Sequence, residues 1–164
     1  MTRRQALGLW GGLALVLVVV NVAAARKERV LARGEVLLLE LRPIDPRSLM
    51  QGDYMRLTLA ITDDLRRDHP DGADEAGALV LRRDENGVGR YVRVAAPDEP
   101  RAPGELRLRY RRHGYEIEAG PTAYFFPEGQ GARVSSARFA EVRLAASGEA
   151  VLIRLRDRDR RPLE

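Results

Sequence analysis

The stretch that decides the fold spans residues 41–57 and reads LRPIDPRSLMQGDYMRL. It places two prolines, Pro43 and Pro46, and the triplet Gly52-Asp53-Tyr54 between two apolar patterns. Proline fixes φ and glycine admits positive φ, so these residues specify the path of a turn. Loops with a specified path are where binding residues concentrate. We therefore predict a corner between two β-strands and a candidate site within it.

The sequence on both sides of this corner has the pattern of β-strands. Residues 35–41 (EVLLLEL) form a mostly apolar run, which is typical of a well-buried strand. After the corner, Met55, Leu57, Leu59 and Ile61 recur with a period of two, which predicts a second strand. Residues 62–77 are polar and rich in helix and strand breakers, so we predict a surface loop there.

Three later turn signals each separate a pair of strand-like segments, at residues 84–87, 113–114 and 146–149. Residues 127–137 favour one short helical turn. The pattern gives about eight short strands at the spacing of a sandwich or barrel. The predicted fold class is mainly β: a small antiparallel β-barrel or sandwich with one minor helix, preceded by a single N-terminal transmembrane helix.

The N-terminal segment is the basis for that transmembrane helix. Residues 6–25 carry Asn21 as their only strongly polar side chain. About 20 apolar residues rising 1.5 Å each span the roughly 30 Å hydrocarbon core of a bilayer. A cleaved signal peptide ending at Ala23-x-Ala25 is the alternative, although its apolar region would be shorter. We predict an uncleaved anchor in residues 1–29, a β domain in residues 30–156, and a charged, disordered tail in residues 157–164.

The charge of the chain is concentrated beside that anchor. The chain has 28 Lys+Arg and 24 Asp+Glu. Removing the six charged residues that flank the apolar segment leaves 23 basic and 23 acidic residues. The six are Arg3, Arg4, Arg26, Lys27, Glu28 and Arg29. A neutral globular part argues against nucleic-acid binding, whereas basic flanks suit anionic headgroups.

Both flanks are basic, so the positive-inside rule does not orient the helix. The short N-terminal tail instead favours a globular domain on the extracytoplasmic side.

The corner supplies the candidate binding residues. A structural interpretation explains them as turn formers, with the aspartates accepting backbone N–H groups and the arginines pairing with the carboxylates. A functional interpretation makes the same loop a recognition surface. The candidate binding residues are Asp45, Arg47, Gly52, Asp53, Tyr54 and Arg56.

Other residue types favour neither a metal site nor a cofactor. The chain has no cysteine, which excludes disulfides and thiolate chemistry. His69 and His113 lack a second histidine at a ligand spacing. The aspartates of residues 63–74 do not have the spacing of an EF-hand, so a solvated loop is favoured over a weak Ca²⁺ site. We predict no metal, no cofactor and no identifiable small-molecule ligand.

Residues 124–126 (YFF) form the largest run of aromatic residues. As a strand, this run places two rings on one face and one on the other. Core packing is the main expectation, and an exposed ring beside Gly129 and Gly131 is the alternative.

Three segments resemble the bacterial GDYXXLXY family. They are residues 43–48 (PIDPRS), residues 52–58 (GDYMRLT), which carry the naming motif, and residues 124–131 (YFFPEGQG). The last tyrosine of the naming motif is Leu59 here, which predicts a core position rather than a chemical group. The resemblance implies a small protein of the bacterial cytoplasmic membrane with a multi-spanning membrane protein as partner.

The function predicted from these features is a non-catalytic, membrane-tethered extracytoplasmic β domain that binds or modulates a membrane-protein partner. An envelope enzyme or ligand-binding protein that uses Asp45, Asp53 and Tyr54 is the alternative. No nucleophile and base are paired in the sequence to support it.

Overall fold

A computed structural model of the chain describes residues 3–43, 54–70, 72–127 and 129–163. The helices in these residues are α1 (Arg3–Arg33), α2 (Ile61–Asp68) and α3 (Gly131–Val134). The strands are β1 (Glu35–Glu40), β2 (Tyr54–Arg56), β3 (Ala76–Arg83), β4 (Gly89–Val94), β5 (Glu105–His113), β6 (Glu116–Ala119), β7 (Ala123–Phe125), β8 (Phe139–Leu144) and β9 (Ala150–Arg156).

The strands form three antiparallel groups, ordered β1-β8-β9, β2-β7 and β4-β3-β5-β6. Together they make a curled half-barrel around one apolar core. The mainly β class predicted from the sequence is confirmed. Alternate residues of β1, β3, β5 and β8 fill the core, including Leu37, Leu79, Leu108 and Val142. This burial follows from the period-two arrangement of side chains along a strand.

The three predicted hairpins are present. They join β3 to β4, β5 to β6 and β8 to β9. In the first turn the Asp84 carboxylate accepts the N–H groups of Asn86 and Val88, both at 2.9 Å. Gly87 has φ of 78°, a conformation that a residue without Cβ adopts without strain. The predicted helical turn of residues 127–137 corresponds to α3.

Helix α2 corrects the prediction of a strand through Ile61 and a loop after it. Met55, Leu57, Leu59 and Ile61 are all buried as their alternation requires, but the strand β2 ends at Arg56. Ile61 and Leu65 are four residues apart and both enter the core from one helix face.

The charges of α2 explain why its sequence resembled a loop. Asp63 and Asp64 lie in the first turn and Arg66 and Arg67 in the last, as the helix dipole favours. Asp63 pairs with Arg66 at 2.8 Å and Asp64 with Arg67 at 2.9 Å. The same acidic and basic residues that indicated a solvated loop therefore stabilise a short amphipathic helix.

Helix α1 is long and apolar enough to cross a membrane over Gly8–Arg33, and its apolar part is not buried against the rest of the chain. It continues past the predicted boundary at residue 29 and ends at Arg33, next to β1. Val30 is buried against the domain, and the Gly34 N–H donates to the Val30 carbonyl at 2.8 Å. Arg143 of β8 donates to the Gly34 carbonyl at 2.9 Å. The helix is thus joined to the sheet without a linker.

The C-terminal segment differs from the disordered tail predicted for residues 157–164. The Asp157 carboxylate accepts the N–H groups of Asp159 at 2.9 Å and Arg161 at 2.8 Å, which makes a tight turn. Leu163 then packs on the core, and its N–H donates to the Leu155 carbonyl at 3.0 Å. Leu163 is the only aliphatic residue of the segment that packs on the core. The charged residues before it have the composition of a disordered tail, so the sequence alone did not indicate this packing. Glu164 lies outside the described residues.

Candidate functional site: an exposed aromatic corner

The structure describes two of the six predicted binding residues, Tyr54 and Arg56. The other four lie outside the described residues: Asp45, Arg47, Gly52 and Asp53. Their proposed turns and ion pairs therefore stay predictions. The described part of the site consists of β2 and the strand that pairs with it, β7.

Strand β2 pairs with β7, with Tyr54 opposite Phe125, Met55 opposite Tyr124, and Arg56 opposite Ala123. Met55 points into the core and is fully buried. Because side chains alternate along a strand, Tyr54 and Arg56 share the outer face.

Tyr54 and Phe125 form an aromatic pair on the surface. Tyr54 is 53% exposed and Phe125 is 77% exposed. Their ring centroids lie 6.0 Å apart with an interplanar angle of 38°. Directly opposite aromatic side chains on neighbouring strands stabilise each other by about 0.5–1.5 kcal/mol. The pair still leaves most of the Phe125 ring in water. We name Tyr54, Arg56 and Phe125 the aromatic corner.

The other two rings of the YFF run face inward. Phe126 is buried, and Tyr124 packs against the core. Their ring centroids are 6.3 Å apart in a stacked arrangement. This confirms the prediction that two rings lie on one face and one on the other. The exposed ring is Phe125, which the sequence did not assign to the site.

Arg56 connects the corner to the hairpin of β5 and β6. Its guanidinium makes an ion pair with Glu116 on β6. Both side chains are well exposed, so the pair contributes little to stability. Tyr115, the residue before Glu116, is 100% exposed. Aromatic residues and arginine are the types most enriched in protein interfaces.

Leu59, which stands at the last tyrosine of the naming motif, is 1% exposed. It forms an isolated bridge with Leu41, at the end of β1. The prediction of a core position is confirmed.

Three acidic residues of 63–74 make local ion pairs or hydrogen bonds: Asp63, Asp64 and Asp68. Asp63 pairs with Arg42 at 3.2 Å as well as with Arg66. Asp68 accepts a hydrogen bond from the Tyr91 hydroxyl at 2.8 Å. Among the described residues, no group of three or more His, Asp or Glu side chains is arranged to hold a metal ion. His113 is exposed and His69 half-buried, and Asp71 lies outside the described residues.

Two pKa shifts in the β3–β4 hairpin have structural causes. The Val88 N–H, aided by Arg90, holds the pKa of Asp84 below its usual value. Burial, together with the hydrogen bond to Asp68, raises the pKa of Tyr91 well above that of a free phenol. Neither Asp84 nor Tyr91 adjoins the aromatic corner. Each takes part in a contact between elements: Tyr91 of β4 bonds to Asp68 of α2, and Arg90, the partner of Asp84, also reaches Glu40 on β1 at 2.8 Å.

A comparison with known protein families gives a match over most of the chain. A family model described as GDYXXLXY protein matches residues 16–155. The match includes part of α1 and ends inside β9, so it covers most of the chain. Neither the curated proteins nor the solved structures give a match.

Proposed function

Since this chain belongs to the GDYXXLXY family, we propose that it is a non-catalytic, single-pass β domain of the bacterial cytoplasmic membrane. In this proposal the domain is extracytoplasmic and binds or modulates a membrane-protein partner. The aromatic corner is its contact surface.

The exposed aromatic pair is the observation that carries the proposal. Tyr54 and Phe125 lie side by side on the outer face of a two-stranded sheet, although their neighbours Met55 and Tyr124 pack inward. Exposed aromatic rings gain more from being covered by a partner than smaller side chains do. Arg56 adds a cation beside them that is held by a single exposed ion pair.

The position of the corner indicates which part of a partner would reach it. Strand β1 leads from Gly34, at the end of α1, to Leu41, which is bridged to Leu59 near β2. Seven residues of extended chain span up to about 23 Å. The corner therefore lies at the end of β1 away from the anchor. We infer that the partner contacts it with a loop or domain outside the bilayer.

The test of the contact is co-purification of the full-length chain with its partner from membranes of the bacterium that encodes it. We compare the tagged wild type with the double variant Tyr54→Ala, Phe125→Ala. A contact centred on two interface aromatics predicts at least about a tenfold loss of one membrane protein from the purified material. Retention of that protein by the double variant would contradict the proposal.

The matched control is Val92→Ala. Val92 is also exposed on a strand, but on β4, away from the corner. We expect it to retain the partner. The thermal unfolding midpoint of each variant is measured as well, because loss of the partner carries the conclusion only if the fold persists.

The proposed orientation has its own test. The chain has no cysteine, so Glu85→Cys in the exposed β3–β4 turn creates a single labelling site. A membrane-impermeant maleimide added to intact spheroplasts should label it. Labelling only after the membrane is opened would place the domain in the cytoplasm and contradict this part of the proposal.

A further inference from the structure

Three arginines form a ladder along β5, at Arg107, Arg109 and Arg111. They alternate with Leu106 and Leu108, which enter the core, so the arginines project from the opposite face. All three line one cavity of about 740 Å³. Successive members of such a ladder are about 7 Å apart along the strand.

The cavity exists because its neighbours are small. Ala76 and Ala78 of β3 line it beside the ladder. Residues 94–98, after β4, line it as well, and so does the tip of the β8–β9 hairpin at Ala146 and Ser147. Larger side chains at the two alanines would occupy the space next to the guanidinium groups.

The ladder carries hydrogen-bond donors that the fold does not use. Arg107 donates from Nη2 to the Glu99 carbonyl, but its Nε–H is buried without a partner. The hydroxyl of Tyr110, which also lines the cavity, is likewise buried and unpartnered. Within the described residues, none of the three ladder arginines makes an ion pair. Buried donors left without an acceptor cost free energy, which a bound anion would recover.

Acidic residues also line the cavity, whose lining holds three arginines and three carboxylates. Asp74 and Asp98 are exposed, as are Arg109 and Arg111, so water screens these four charges, whereas Arg107 is half-buried. Glu118 of β6 is the cross-strand partner of Arg111 and is half-buried. Arg107 and Arg109 are farther along β5 from Glu118 and are the free cations nearest the hairpin tip.

The end of the cavity formed by Arg107 and Arg109 lies on the side of the domain that joins α1. The Arg109 N–H donates to the Gly148 carbonyl at 2.9 Å, which docks the β8–β9 hairpin tip on the ladder. That hairpin begins after Leu144, whose partner in the sheet is Glu35, two residues beyond the end of α1. The eight residues 26–33, after the apolar segment, add about 12 Å of helix. With α1 in the bilayer as proposed above, the end of the ladder at Arg107 and Arg109 faces the membrane surface.

We propose that this cavity binds the phosphate group of an anionic membrane lipid, with Arg107 and Arg109 as the main ligands. Guanidinium groups match phosphate oxygens in geometry and charge. The basic residues of the α1 flank, Arg26, Lys27 and Arg29, raise the local concentration of the same lipids. The proposal rests on the membrane tether proposed above, but not on the partner.

The test uses the full-length chain with Ser147→Cys at the cavity rim, labelled with an environment-sensitive fluorophore. The chain has no other cysteine. It is inserted into nanodiscs of phosphatidylcholine with increasing phosphatidylglycerol. We expect a saturable change in fluorescence, weakened about tenfold for each guanidinium removed in Arg107→Gln and Arg109→Gln. The variant Arg107→Lys keeps the charge but loses Nε–H, and we expect an intermediate response.

The matched control is the double variant Arg158→Gln, Arg161→Gln, which removes two exposed arginines outside the cavity. It should respond like the wild type. An equal response in the ladder variants, or none in the wild type, would overturn the proposal. Circular dichroism of each variant confirms that it is folded.

A further arm adds glycerol 3-phosphate to nanodiscs of phosphatidylcholine alone. If only this soluble phosphate produces the ladder-dependent change, the lipid assignment is overturned and the ligand comes from solution. Failure of the chain to insert into nanodiscs would instead contradict the membrane tether. The two proposals can therefore fail separately.

Discussion

Gly77 of β3 lies opposite Tyr110 of β5, and the absence of a side chain on Gly77 makes room for the Tyr110 ring. A Cβ on Gly77 would lie 2.8 Å from Cε1 and 2.9 Å from Oη of Tyr110. Tyr110 is only 2% exposed and belongs to the core, so its ring is held by the side chains packed around it. The pair sits between the core and the cavity of the arginine ladder.

The first prediction concerns Gly77→Ala. Because the added methyl group meets a buried ring, we expect a loss of about 1–3 kcal/mol in the free energy of unfolding. Chemical denaturation of the full-length chain in detergent measures it. Combining Gly77→Ala with Tyr110→Leu should cost less than the sum of the two single changes, since the clash is gone. Strict additivity would contradict the packing described here.

The second prediction concerns Tyr110→Phe. The Tyr110 hydroxyl is buried with no hydrogen-bond partner. Removing such a group leaves the packing of the ring intact and lifts a desolvation cost of about 1 kcal/mol or more. We expect an unchanged or higher unfolding midpoint for the ligand-free chain. A clear drop in the midpoint would indicate that the hydroxyl has an acceptor.

The third prediction is that Tyr91 makes the stability of the fold depend on pH in the alkaline range. Its pKa is raised by burial and by Asp68, so the folded state favours the neutral phenol. The resulting stability is complete below the ordinary tyrosine pKa near 10 and is lost as the pH rises from there toward the raised value. We expect Tyr91→Phe to be less stable than the wild type at pH 8 and to lose less stability between pH 9 and 11. Parallel pH profiles would contradict this role.

The fourth prediction is that Asp84 makes the stability of the fold depend on pH in the acidic range. The Val88 N–H and Arg90 lower the pKa of Asp84, so the carboxylate contributes stability above its ordinary pKa of 3.8. That contribution is lost as the pH falls through the lowered value. At neutral pH, Asp84→Asn should cost about 1–2 kcal/mol because the charge-assisted bonds are weakened. The difference in stability between the variant and the wild type should shrink as the pH falls below 3.8 and through the lowered pKa of Asp84, as thermal unfolding can show.

Local patterns in the sequence predicted the parts of the fold that depend on neighbouring residues. The turn at Asp84 to Gly87 and the apolar N-terminal helix are both short-range features. Leu59 was assigned to the core because its position in the naming motif tolerates both an aromatic and an aliphatic residue. Helix α2 was missed because its ion pairs, such as Asp63 with Arg66, have the composition of a solvated loop.

The aromatic corner could be predicted only in part. Tyr54 stands out in the sequence because it is a fixed residue of the naming motif, and Arg56 occupies one of the variable positions of that motif. Phe125 is about 70 residues away, and only the pairing of β2 with β7 brings it to Tyr54. Such non-local pairing has no short-range signal, so the YFF run alone could not show which ring stays exposed. The arginine ladder was visible as an alternation, but its cavity depends on the distant β8–β9 hairpin.

The most direct test of the proposed function is site-specific photo-crosslinking in living cells. A photoreactive phenylalanine analogue replaces Phe125 in the full-length chain, and the control carries it at Val92. We expect one discrete adduct with a membrane protein from position 125 and none of that adduct from position 92. No adduct at position 125, or the same adducts from both positions, would contradict the assignment of the aromatic corner as the partner-binding surface.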